Sequence, residues 1–341
     1  MASSSLDCDD WQPTCSLEML KFRAAALAAA RSFFAQIGYM EVETPLMSHD
    51  IVVDAHLEPF EIPSSDERLF LQTSPEAGMK RLLAAGSGSI FQVTRSFRRH
   101  ESGSKHNPEF TMLEWYGVGT TWQDQVLLTE KLVRCIQAAI KTAGAAAMEF
   151  AEPHFNRIAY DKAFLRTLNQ SVLELPVKQL RCLTASHTSF ADSDCQALDR
   201  DELLNILLAE CVEPVLGTEH PEFLYDYPAS QAALAQLNPG DHRSDHRTAC
   251  RFELYCNGLE LCNGYQELTD PAELKARDQQ QNTTRTRQSA DALPGATRML
   301  AAMNHGLPAC SGVALGFDRL LMCLLQETEI RRVIPFPIDR A

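Results

Sequence analysis

Residues 251–268 read RFELYCNGLELCNGYQEL, two alternating apolar and polar runs joined at Asn257-Gly258. Asn-Gly between such runs signals a two-residue hairpin turn, because both central residues must enter the left-handed region. That turn sets a register in which Cys256 opposes Leu259, Tyr255 opposes Glu260 and Glu253 opposes Cys262. Alternation then puts Glu253, Tyr255, Glu260 and Cys262 on one face, with Leu254, Cys256, Leu259 and Leu261 on the other. The two glutamates become diagonal neighbours with backbones roughly 7–8 Å apart. Carboxylates at that separation can converge on one divalent cation, and Mg²⁺ bridged to phosphates is the usual occupant. A sheet with one solvated face produces the same pattern, so the hairpin alone leaves both readings open.

Upstream, IFQVTRSF (90–97) and FTMLEWY (110–116) read as strands from their aromatic and β-branched content, joined by the polar loop RRHESGSKHNPE (98–109). Phe110, Met112, Glu114 and Tyr116 share a face, and Arg95, Arg98 and Arg99 crowd the end of the first strand. Such arginines can clamp a carboxylate or phosphate, and an aromatic on the sheet can stack on a purine. A polar loop beside an aromatic core strand accounts for the same residues without function. Downstream, the strand SGVAL (311–315) leads through Gly316 into the helix FDRLLMCLLQE (317–327). The glycine allows close approach of a ligand and Arg319 in the first turn can reach an anion, although a structural Asp318/Arg319 pair is the plainer account. Ser74-Pro75-Glu76 is a helix start by its hydroxyl, proline and acid, and needs no function to explain it.

Further helices are expected over 16–37, 123–143, 271–290 and 296–305, and a short strand over MEVETPLM (40–47), ended by Pro45. The stretch 150–235 has helical pieces at Tyr160–Asn169 and Arg200–Cys211 but no readable chemistry. The expected organisation is a loose tail over 1–15 and one α+β domain over 16–341, with 150–235 as an insertion.

The totals limit the function. The 341 residues are 45% hydrophobic and 22% charged, a globular composition, and no apolar run reaches the ~18 residues of a membrane span. The acidic start MASSSLDCDDWQPT lacks the plan of a secretory signal, so a cytoplasmic location is expected. With 31 basic and 45 acidic residues the net charge is −14, which speaks against a nucleic-acid partner. Eleven cysteines without a CxxC pair read as free thiols acting as small buried hydrophobes, not as a zinc site.

Together, HNPEFTMLEWY with its arginine-bearing loop, GLELCNGYQELTD and GVALGFDRLL resemble motifs 2 and 3 of class II aminoacyl-tRNA synthetases. FFAQIGYMEVETPLM resembles motif 1, whose closing proline belongs to a dimer interface, and TSPE with NGYQEL points to the lysine branch. The likeness spans nearly the whole chain. It implies an antiparallel sheet flanked by helices, ATP as co-substrate, Mg²⁺ and a homodimer. Lysyl-tRNA synthetases carry an N-terminal anticodon-binding domain, whereas motif 1 here begins within the first forty residues. A lysine-type core of this form resembles the elongation factor P–(R)-β-lysine ligase family. That resemblance implies activation of β-lysine and its transfer to a lysine side chain of elongation factor P, with neither tRNA nor membrane as partner. A truncated synthetase charging tRNA and an inactive amino-acid-binding paralogue are the alternatives.

The resemblance also implies roles. Arg98 would hold the α-phosphate and substrate carboxylate, Arg319 the γ-phosphate, and Glu253 with Glu260 the Mg²⁺, making Arg98, Arg319 and Glu260 the catalytic set. Arg99, His100, Asn107, Phe110, Leu254 and Gly316 would complete the ATP site, with Phe110 under the adenine. Ser74 and Pro75 would shape the wall, Glu76 would bind the substrate amino group, Tyr116 and Glu267 the distal ammonium, and Asn263 and Glu260 would orient the substrate. Two departures stand out: Phe97-Arg98-Arg99-His100 replaces the family's Phe-Arg-Asn-Glu, and Ala314 replaces a glycine usual in lysyl-tRNA synthetases.

Overall fold

The computed structural model describes residues 11–64, 67–239 and 247–341. The first helix, α1 (Leu17–Gln36), begins at Ser16, whose Oγ accepts the Met19 N–H, and buries Met19, Phe22, Ala26, Ala30 and Phe34 along one stripe. The short strands β1 (Met40–Glu41), β2 (Met47–Ser48), β3 (Glu61–Ile62) and β4 (Leu69–Leu71) lead to α2 (Glu76–Ala84). Strands β5 (Ile90–Phe97) and β6 (Glu109–Val118) precede α3 (Trp122–Thr142), which a Thr121/Asp124 capping box opens. Then follow β7 (Asn156–Ala159), α4 (Tyr160–Leu168), α5 (Val177–His187), α6 (Asp192–Cys195), α7 (Arg200–Leu207) and β8 (Glu222–Pro228). The chain closes with β9 (Thr248–Cys256), β10 (Leu259–Gln266), α8 (Pro271–Arg287), α9 (Thr297–Gly306), β11 (Cys310–Gly316) and α10 (Phe317–Leu324).

One eight-stranded sheet organises these elements, in the order β1-β5-β6-β11-β10-β9-β8-β7. The six inner strands are antiparallel, and β1 and β7 run parallel to their neighbours at the two edges. The α+β class expected from the sequence is the class observed. One face of the sheet lies in a core formed with α1, α3 and α10, where Phe34 stacks on Phe91 at 4.6 Å beside the fully buried Trp115. Each large side chain buried there contributes about 1.5–3 kcal/mol. The other face of β6, β9, β10 and β11 is left for the site.

Several expectations change. The segment 40–47 is not one strand but two, β1 and β2, which join different sheets. Residues 1–10 of the expected tail lie outside the described residues, but Thr14 and Cys15 belong to the fold: Thr14 N–H donates to Pro335 at 2.8 Å and Cys15 is buried. The stretch 150–235 supplies β7 and β8 to the main sheet, and its apolar core is shared with Tyr255 of β9. The thiols are free as expected at eight described positions, but Cys256 and Cys323 form a disulfide between β9 and α10.

The hairpin turn forms as read, with Asn257 and Gly258 both at positive φ, and it docks on Gly217 through an Asn257 N–H bond of 2.9 Å. A Cβ on Gly217 would lie 2.3 Å from the Tyr255 carbonyl oxygen, so only glycine admits this approach. Beyond Glu260 the register differs from expectation. A bulge at Leu261 shifts the pairing, so Cys262 opposes Leu254 and Asn263 opposes Glu253. One extra residue turns the rest of β10 over. Cys262 therefore joins the apolar core instead of the Glu253 face, and Asn263 takes its place beside Glu253.

Candidate active site

The open sheet face floors a cavity of about 910 Å³, walled by α2, the strap 52–57, α7 and α8. Of the residues expected in a site, Ser74, Glu76, Arg98, Asn107, Phe110, Tyr116, Glu253, Glu260, Asn263, Glu267, Gly316 and Arg319 all line it. Pro75, Arg99, His100 and Leu254 do not. Pro75 is buried at the N-cap position of α2, and Leu254 is fully buried in the core on the opposite sheet face. Arg99 pairs its backbone with Glu58, and His100, at φ +69°, is exposed. That left-handed turn brings Glu101 round to the cavity instead, 3.6 Å from Arg98.

At one end of the cavity, acids gather around a lysine. Lys80, one helical turn after Glu76, places Nζ 2.5 Å from Glu76 Oε1 and 2.6 Å from Glu267 Oε2, the second a close ion pair more than an aligned hydrogen bond. Burial works against the lysine charge, but Glu267 and Glu76 outweigh it and raise its pKa. Glu114 is 1% exposed, accepts the Tyr116 hydroxyl at 2.6 Å through Oε1, and leaves Oε2 without a partner. Burial, reinforced by Glu76, pushes Glu114 up to about 8. Burial likewise raises Glu267 to about 7 against the pull of Lys80. Gly312 makes this packing possible, since a Cβ there would lie 2.4 Å from the Tyr116 ring and 2.5 Å from Glu267 Oε1. Ala314, paired with Asn263 on one side and Glu114 on the other, puts its methyl on the floor between them.

The other end carries the arginines. Arg98 lies over the Phe110 ring at 5.0 Å and donates weakly to the Thr73 carbonyl at 3.4 Å. Arg319 donates to the Glu260 carbonyl at 3.1 Å, sits 3.7 Å from its carboxylate and contacts His106, whose pKa burial and Arg319 lower. The Asp318/Arg319 pair allowed by the sequence does not form. Asp318 binds Arg23 at 2.6 Å and the Thr111 N–H at 2.7 Å, which leaves Arg319 to the cavity. Asn107 donates to the Glu109 carbonyl at 2.6 Å and accepts the Ile338 N–H at 2.9 Å, tying the loop to the C-terminal segment.

The two hairpin glutamates are unequal. Glu253 Oε1 accepts from Arg251 at 2.5 Å and Asn263 at 3.1 Å, while Oε2 accepts the Tyr255 hydroxyl at 2.7 Å and the Tyr227 hydroxyl. Four donors fill its lone pairs. Glu260 keeps 39% of its side chain exposed, and burial with the Glu253 charge raises its pKa. A cation shared by both carboxylates does not fit this arrangement, because Glu253 has nothing left to offer it; Glu260 does.

Sequence reasoning missed Lys80, Glu114, Tyr227 and Arg251. Lys80 was signalled by its i+4 spacing from Glu76 and Glu114 by its place on the Phe110–Tyr116 face; Tyr227 lies on β8, a strand the sequence did not reveal.

The antiparallel sheet with an arginine at each of two strand ends and acids on the hairpin between them agrees with the comparison of sequences. The profile of class II tRNA synthetases for D, K and N matches residues 10–340, and the chain belongs to that family. Within it, the chain is 44% identical over 338 residues to an elongation factor P–(R)-β-lysine ligase of Vibrio parahaemolyticus, covering 97% of this chain and 99% of that protein. Proteins of the same name from Pectobacterium carotovorum (42% identical, 97% and 98% covered) and Yersinia pestis (42%, 98% and 99%) are similarly related.

Proposed function

We propose that this chain is an ATP-dependent ligase that activates (R)-β-lysine, or lysine, as an acyl-adenylate and transfers it to a lysine side chain of elongation factor P. The observation that carries this reading is the acidic end of the cavity: Glu76 and Glu267 share a single lysine, and the buried Glu114 on the same cavity wall holds an unpartnered oxygen. Buried carboxylates in excess of their cations bind ammonium groups, and a diamino acid brings two. Arg98 lines the same cavity over the Phe110 ring, the residue to hold a substrate carboxylate against an α-phosphate. The carboxylate oxygen attacks the α-phosphorus and pyrophosphate leaves, its charge met by Arg319. The neutral amine of the acceptor lysine then attacks the acyl carbon, forms an amide, expels AMP and gives up a proton. Mg²⁺ is expected with ATP, but Glu253 is saturated, so no step is assigned to a metal.

Ser74, Asn107, Phe110, Gly316 and Asn263 complete the reading as wall, ATP-site and orienting residues, all facing the cavity. The net charge of −14 favours a protein acceptor over tRNA. Exposed Met40, Leu46 and Met47 around the motif 1 segment support a homodimer. Among the described residues no helix is long and apolar enough to cross a membrane, and we place the activity in the cytoplasm. The test is pyrophosphate exchange with β-lysine, lysine and other amino acids, followed by transfer to purified elongation factor P. Exchange with lysine-type amino acids and transfer to the protein are expected; transfer to tRNA alone would refute the ligase reading, and no exchange at all would leave a binding protein.

A further inference from the structure

Helix α8 roofs the acidic end of the cavity and presents Asp278 to it. The helix is fixed on both sides. Gln281 accepts the Ala55 N–H at 2.9 Å, and the buried Arg285 donates to the carbonyls of Asp54 (3.1 Å) and Leu57 (3.0 Å) and to Glu58. Arg277 donates to the carbonyl of Ala235 at 2.8 Å. Asp278 is half-buried between these anchors, and among the described residues it accepts no hydrogen bond and makes no ion pair. The charge that bears on it is Glu76: burial and that neighbouring carboxylate raise Asp278 to about 6. Both carboxylates line the same cavity.

A charge count shows what would settle them. Lys80 neutralises one of Glu76 and Glu267, and Glu114 retains its proton near neutrality. The other glutamate and Asp278 are left at this end as two carboxyl groups with no cation of their own. A second feature points the same way: Glu114 Oε2, in a residue 1% exposed, has no partner in the same pocket. We infer that Asp278 and Glu76 together form the site for the amino group nearer the substrate carboxylate, so that α8 contributes to selecting a diamino acid. This rests on the amino-acid activation proposed above.

The experiment is pyrophosphate exchange by the full chain and its Asp278→Asn, Asp278→Ala and Asp278→Glu variants. The substrates are β-lysine, 3-aminohexanoate (which lacks the terminal amine) and 6-aminohexanoate (which lacks the proximal one). Loss of one charge-assisted contact predicts that Asp278→Asn and Asp278→Ala raise KM for β-lysine and 3-aminohexanoate by about tenfold, leaving kcat and the KM for ATP within about twofold. KM for 6-aminohexanoate should not move, and Asp278→Glu should recover most of the loss. An unchanged KM for β-lysine, an equal rise with all three substrates, or normal exchange with slowed transfer to the acceptor would each overturn the assignment. Failure of the wild-type chain to exchange with any amino acid would instead overturn the activation reading on which it stands.

Discussion

Glu114→Gln tests the electrostatics of the pocket. Burial and Glu76 hold the Glu114 carboxyl at about 8, against an ordinary value of 4.5. Between those values the folded chain keeps the proton and the unfolded chain loses it, so this residue makes stability fall as pH rises from about 4.5 towards 8. At about 1.4 kcal/mol per pH unit the fall approaches 4 kcal/mol by pH 8, with most of it between pH 5 and pH 8. Glutamine keeps the shape and cannot ionise. In urea unfolding series at pH 5, 6, 7 and 8, the stability of Glu114→Gln relative to wild type should improve by about 3 kcal/mol from the lowest pH to the highest. The same residue should ionise when a diamino acid supplies the missing cation. Calorimetric titration with β-lysine at pH 7 in buffers of different ionisation enthalpy should therefore show release of on the order of one proton in wild type and less in the variant. A stability difference that stays flat with pH, or equal proton release by both proteins, would refute the buried-acid account.

Three other perturbations separate the parts of the site. Lys80→Met leaves Glu76 and Glu267 facing each other without their cation, so a loss of about 3–5 kcal/mol is expected at pH 8, shrinking at pH 5 where the acids protonate; a pH-independent loss in urea melts would contradict this. Arg319→Ala should cut adenylate formation by about 10²–10³-fold with the melting temperature nearly unchanged, because Asp318 is held by Arg23; a wild-type exchange rate would remove Arg319 from the phosphate role. Glu253→Gln breaks the buried Arg251 pairing and should lower the melting temperature, whereas Glu260→Gln should abolish exchange and leave the melt alone; equal melting losses would show that the two acids are not divided as described.

How far the sequence revealed this site depends on the range of the interaction concerned. The Asn257-Gly258 turn and the Phe110–Tyr116 face are local, and each followed from turn chemistry or periodicity; the Glu76/Lys80 spacing is local too but was not read as a pair. The bulge at Leu261 is equally local, yet no glycine or proline marks it, and its one-residue slip carried Cys262 to the wrong face. Strand β7 is four residues long with its first two exposed, and β8 is buried along most of its length, so neither has the alternation that would have announced it. Asp278 is the extreme case. Its helix reads PAELKARDQQQNTTRTR, polar nearly all round, and the contacts that aim it come from Ala55 and Asp54, more than two hundred residues away. A polar helix without an apolar stripe gives no indication of which side faces a ligand.

The unequal hairpin glutamates explain how one sheet serves two chemistries. Arg251, Tyr227, Tyr255 and Asn263 hold Glu253 in one orientation, and burial, reinforced by that neighbouring carboxylate, raises the proton affinity of Glu260. Glu260 is thus held ready to respond to whatever cation reaches that end of the cavity, without moving its neighbours. The acidic end works by the same logic in reverse. Lys80 bridges Glu76 and Glu267, and Glu114 stores a proton until an ammonium replaces it. In both places the fold bears the cost of charges brought together in advance, and the ligand relieves it on binding. Groups already oriented need not reorganise when charge develops on the phosphates, and that is the condition under which electrostatic stabilisation of a transition state is strongest. The packing that enforces it lies one layer below, where Trp115, Leu254 and Leu315 fill the opposite face of the strands that bear Glu114, Glu253 and Ala314.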